Sequence, residues 1–84
     1  MTTITLKLYA SLGRYLPAGA QRNMIKIDID DGTSIQTVLD RYNLPPALCH
    51  LVLVNGVFQP PEIRADVALD EGDVLAVWPP IAGG

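Results

Sequence analysis

The chain has one cysteine, one histidine, one phenylalanine and one tryptophan among its 84 residues. A single thiol can form no disulfide within the chain, and it cannot supply a four-cysteine zinc or iron–sulfur site. No apolar run approaches the ~20 residues a membrane helix needs. The start, Met1-Thr2-Thr3-Ile4, places no basic segment ahead of an apolar run, so no signal peptide is expected. Positive charge is scarce. Six Lys and Arg stand against nine Asp and Glu, a net charge of -3. The six are scattered along the sequence, which argues against a phosphate-binding surface. The expectation is a soluble cytoplasmic protein with neither nucleic acid nor membrane as partner.

Isolated features that invite chemistry do not assemble into any. Cys49 and His50 are adjacent, so in an extended segment their side chains diverge, and they read as a buried structural cysteine beside a surface histidine. Asp28, Asp30 and Asp31 lack the twelve-residue spacing of an EF-hand loop. They read as a solvated turn, with Asp30 and Asp31 favourably close to a helix N-terminus. Gly13, Gly19 and Gly32 form no phosphate loop. With no credible nucleophile, metal site or cofactor loop, an independent enzyme is the least supported reading.

What the chain does have is apolar content, at 49%, which suits a packed globule. Its length allows one core, burying roughly 60% of the unfolded surface. Ile4, Leu6, Leu8 and Ala10 alternate with Thr5, Lys7 and Tyr9, giving a first strand with one buried face. Ser11 to Asn23 reads as a loop with a short helical turn around Leu12 to Leu16. Met24 to Ile29 alternates again. After the turn Asp30-Asp31-Gly32, Thr33 stands three residues before Gln36, a capping-box spacing. Ile35, Val38, Leu39 and Tyr42 then mark an amphipathic helix over Ser34 to Tyr42, which Pro45-Pro46 forbids from continuing. Leu51 to Val54 is an apolar run with little alternation. It leads into Asn55-Gly56, a strong two-residue hairpin signal, and a short return strand Val57 to Gln59. Asp70-Glu71-Gly72-Asp73 is a turn before the last strand, Val74 to Trp78, which Pro79-Pro80 stops. The order of strand, strand, helix, strand, short strand, strand predicts an α+β fold in which one helix covers one face of one sheet.

That order, the Asn55-Gly56 hairpin, the Glu71-Gly72-Asp73 turn and the ending Pro79-Pro80-Ile81-Ala82-Gly83-Gly84 together resemble the MoaD/ThiS family of ubiquitin-like sulfur carriers over essentially the whole chain. The resemblance implies a β-grasp fold, a mixed sheet of four to five strands on one main helix, over residues 1–80, with 81–84 as a flexible tail. It implies a carrier and no catalysis by the chain alone. An adenylating, E1-like enzyme would activate the carboxylate of Gly84 with ATP. A sulfur donor would turn it into a thiocarboxylate, and the charged carrier would dock on a sulfur-accepting enzyme. The long 11–23 connection and Pro79-Pro80 look more like the small subunit of molybdopterin synthase, whose partner is the large catalytic subunit, than like the thiamin carrier. No bound cofactor is implied.

Glycine suits such a tail, because without Cβ it is thin and leaves the carbonyl of Gly84 open to attack. Pro79 and Pro80 could hold the start of the tail extended. By the same resemblance Tyr9, Phe58 and Trp78 share the open face of the sheet near the tail and bind the partner together with Pro79, Pro80, Ile81 and Ala82. The competing reading of Phe58 or Trp78 is burial at the core edge. Two other functions stay open at this point: a protein modifier that joins Gly84 to a lysine amine, and a binding domain that merely has the fold. Carriers of this kind also serve other sulfur-insertion pathways.

Overall fold

A computed structural model describes residues Met1–Pro80. The predicted tail, 81–84, lies outside the described residues. Strand β1, Thr2–Leu8, alternates as its residues dictate: Thr2, Ile4, Leu6 and Leu8 are buried while Thr3, Thr5 and Lys7 stand on the other face. The strand starts earlier than the sequence reading placed it and ends at Leu8. Ala10 is exposed, has φ 53° and opens a 3-10 turn, Ala10–Tyr15, so it does not extend the buried face. Leu12 from that turn is fully buried.

Strand β2, Met24–Ile29, pairs antiparallel with β1. Helix α1, Ile35–Arg41, buries Ile35, Val38 and Leu39. Strand β3, Leu51–Val54, and the two-residue β4, Val57–Phe58, are joined by Asn55 and Gly56, with φ 51° and 83°. Positive φ at both central positions matches the right-handed twist of the strands it connects. Strand β5, Val74–Trp78, runs parallel to β1 and antiparallel to β3. The sheet order is β2-β1-β5-β3-β4. This mixed five-stranded sheet over one main helix is the β-grasp fold. Among the described residues no helix is long and apolar enough to cross a membrane.

The helix start corrects the expected capping box. Ser34, not Thr33, is the N-cap, and its Oγ accepts the amide of Thr37 at 3.1 Å. The Thr33 hydroxyl donates to the Asp30 carbonyl, and Gln36 reaches forward to Asp40. Thr33 belongs to the turn rather than to the helix, because its amide and hydroxyl both serve the Asp30 carbonyl. Asp31 likewise does not serve the helix. The Thr2 hydroxyl donates to it at 2.6 Å, and this bond, with the N-terminal ammonium 3.8 Å away, holds its carboxyl below the usual range.

The return strand ends at Phe58, one residue short of the expected Gln59, and residues 60–69, unassigned from sequence, close the molecule. A 3-10 turn, Pro61–Ile63, leads to Arg64, whose carbonyl accepts the amide of Gln36, while Val67 accepts that of Ile35. Two helix amides that would otherwise be orphaned are thereby satisfied. Leu69 then enters the core.

Candidate functional site

The open face, opposite α1, is set by register. Residues paired across adjacent strands share a face. One row therefore runs Phe58, Leu53, Ala76, Lys7, Met24 from β4 to β2. A second row begins Leu51, Trp78, and Tyr9 follows beside Trp78 because Leu8 pairs with Val77. The amide of Tyr9 donates to Val77, which extends the ladder by one residue. The rings of Tyr9 and Trp78 are stacked, with centroids 4.1 Å apart and planes 2° from parallel. Such a pair contributes about 0.5–1.5 kcal/mol beyond its buried area.

Trp78 therefore does not tuck into the core. Its neighbour Val77 does, and Trp78 points the other way, as period two requires. Phe58 is 48% exposed, Met24 40% and Leu51 37%. This is a broad apolar patch with a rigid aromatic platform at one end, the composition of a docking surface rather than of idle exterior.

The platform sits where the chain leaves the sheet. The Trp78 carbonyl accepts the amide of His50. Pro79 and the exposed Pro80 follow, and with no N–H neither can donate to a further ladder bond. The chain is thus released from the sheet directly beside the platform. Tyr9, Phe58, Trp78, Pro79 and Pro80 are described; Ile81, Ala82, Gly83 and Gly84 lie outside the described residues.

Four members of the face, Leu51, Leu53, Met24 and Lys7, were not picked out from sequence. The hairpin held the missing signal. A two-residue turn at Asn55-Gly56 forces Val54 against Val57 and Leu53 against Phe58, so Phe58 names Leu53 as its neighbour. Within β3, Leu51 is exposed and Val52 buried, an alternation that four apolar residues conceal. Arg64 also carried no signal, since a charge in a proline-flanked stretch reads as surface. It is only 4% exposed. Its Nε donates to the Gln59 carbonyl at 2.8 Å and its Nη1 to the Cys49 carbonyl at 2.9 Å, tying the end of the hairpin to the start of β3.

Cys49 is buried and His50 exposed, so the two side chains do separate. Burial pushes the Cys49 thiol up, partly offset by the charge of Arg64. A thiol held in its protonated form is a poor nucleophile.

Comparison with known proteins adds to this geometry. The ThiS family model matches residues 18–84. No curated protein matches the chain. Among solved structures, SAMP1 from Haloferax volcanii is similar at 24% identity, with 98% of this chain and 99% of that one covered and a TM-score of 0.67. A second structure, of H. volcanii small archaeal modifier protein 1, gives 23% identity, 96% and 100% coverage and a TM-score of 0.69. The complex of subunits 1 and 2 of the molybdopterin-converting factor from Helicobacter pylori 26695 gives 15% identity, 99% and 100% coverage and a TM-score of 0.62. At these identities the structures share the fold.

Proposed function

We propose, from the premise that the chain belongs to the ThiS family, that it is a sulfur carrier charged at Gly84. The observation that carries this reading is the family match, which runs through the C-terminal Gly83-Gly84. A carboxylate is a poor electrophile. The Gly84 carboxylate oxygen would attack the α-phosphorus of ATP, releasing pyrophosphate and forming an acyl-adenylate. Sulfide would then attack the carbonyl carbon and AMP would leave, giving the thiocarboxylate and one proton. The ATP belongs to the adenylating, E1-like enzyme, and the chain itself is no enzyme. It supplies the open face for docking and a side-chain-free end for attack.

The pathway favoured is molybdopterin synthesis, with a large catalytic subunit as the sulfur-accepting partner. Its support is the long 11–23 connection, the Pro79-Pro80 exit and the fold shared with the molybdopterin-converting factor complex. In this reading Tyr9, Phe58 and Trp78 bind the partner's surface, while Pro79 to Ala82 thread toward its active site.

The test is intact mass after incubation with ATP, sulfide and the host's adenylating enzyme. The expected result is replacement of one oxygen by one sulfur, abolished when Gly83-Gly84 is deleted. An unchanged mass with an enzyme shown to be active would overturn the reading. Adducts on lysines that survive denaturation would instead assign the activated Gly84 to protein modification.

A further inference from the structure

Lys7 is the fourth of the five residues in the long row of the open face, between Ala76 on β5 and Met24 on β2. Its same-face neighbours along β1 are Thr5 and Tyr9, and the diagonal residue on β2 is Lys26, which pairs with Thr5. No carboxylate occupies any of these positions. Among the described residues the one ion pair joins the Met1 amine to Asp31, at the far end of β1. The acidic groups nearest this face are held at that far end as well. Thr3 binds Asp28 through its hydroxyl and Glu71 through its amide, and Asp73 binds Asn55 and the amide of Asp70. Among the described residues Lys7 is thus an unpaired ammonium beside the apolar part of this face, already half-buried by its surroundings.

We infer that the adenylating enzyme that activates the tail presents a carboxylate to Lys7. This rests on the sulfur-carrier reading above. Any protein that covers Phe58, Leu53, Met24 and the Tyr9–Trp78 platform strips water from Lys7. A desolvated ammonium is costly unless it is paired and hydrogen-bonded. The described residues offer no counterion there, so the partner brings it.

A second copy of the chain is a poor occupant. A two-fold pairing centred on this row sets Lys7 and Lys26 of one copy against those of the other, like charge on like. The wider charge distribution points the same way. Arg14 and Arg22, both exposed, lie on the connection from the end of β1 to the start of β2, at the tail end of the sheet. Asp30, Asp31, Asp70 and Glu71 lie on the turns at the opposite end. The six basic residues are scattered in sequence, yet Lys7, Arg14 and Arg22 gather at one end in the fold. A net-acidic molecule therefore turns a positive end toward an acidic surface, tail first.

The experiment measures binding of the full chain to the host's adenylating enzyme at several salt concentrations, alongside the sulfur-loading assay. Lys7→Glu is expected to weaken binding by about 30-fold or more, and Lys7→Met by about 10-fold with a flatter salt dependence. Lys7→Met keeps an unbranched apolar stem on the face, so an unchanged melting temperature separates lost charge from lost fold. Wild-type affinity in both variants, while Trp78→Ala binds weakly, would overturn the carboxylate and leave the carrier reading standing. No sulfur loading of the wild type by an active enzyme would bring down both.

Discussion

Arg64 shows what one side chain does in so small a core. It takes a charge out of water with no salt bridge among the described residues, only the weaker attraction of Glu62, and its Nη2 has no partner among them. Burial pulls its guanidinium down from its ordinary value. What offsets this cost is the planar fork, which places two donors at once on two carbonyls, one before and one after the β3–β4 hairpin. Arg64→Met is expected to destabilise by about 2–4 kcal/mol in urea unfolding, because the carbonyls of Cys49 and Gln59 lose their donors. Arg64→Lys is expected to recover less than half of that, since one ammonium cannot span both. Cys49 adds a pH dependence. Its thiol is raised in the folded protein, so its contribution is complete below the ordinary thiol range and is lost as pH rises through the folded value. Alkaline unfolding of the wild type is expected to be steeper than that of Cys49→Ala when stability is followed against pH.

At the scale of elements, local chemistry decides where each begins and what it refuses to pair with. Ser34→Ala is expected to cost about 1 kcal/mol in thermal or urea unfolding, while Gln36→Ala costs only a few tenths, because Ser34 and not the Thr33–Gln36 pair caps α1. The edge strand β2 is closed by its own neighbours. The Leu8 amide bonds to Asn23, so by alternation Met24, Lys26 and Asp28 turn their peptide groups outward. Gln21 takes both groups of Met24, and Arg41 Nη1 takes the Asp28 carbonyl at 3.0 Å. Among the described residues the peptide groups of Lys26 and the Asp28 amide stay open, too few to recruit another strand, and the other edge, β4, has two residues.

All five strands and the helix were legible because their signals are local: period two in β1 and β2, period 3.6 in α1, positive φ at Asn55-Gly56. Residues 60–69 were not legible. Their order comes from Arg64 reaching carbonyls five and fifteen residues away and from the Ser34–Ala68 bridge, and neither leaves a periodic trace. The docking face was half legible for the same reason. Tyr9, Phe58 and Trp78 are conspicuous alone, but Lys7 and Met24 join them only once register fixes which strands lie side by side.

On the scale of the whole molecule, the sheet divides labour between its faces. One face, with α1, holds the core that gives the fold its stability. The other carries the apolar row and the Tyr9–Trp78 platform, and the last strand ends beside that platform at Pro79-Pro80. Docking and sulfur chemistry are therefore expected to separate by mutation. Trp78→Ala removes half of the stacked platform but no core residue. It is expected to raise KM for the carrier in the adenylation assay by about 30-fold, the loss typical of an aromatic hot spot, and to leave kcat within about twofold. Deleting Gly83-Gly84 is expected to do the reverse: turnover is abolished, while affinity measured by calorimetry stays within about tenfold of wild type, because the open face is untouched. A deletion that abolished binding as well would place the affinity in the tail and reduce the sheet face to a bystander. A Trp78→Ala variant with unchanged KM would move the docking surface elsewhere on the domain.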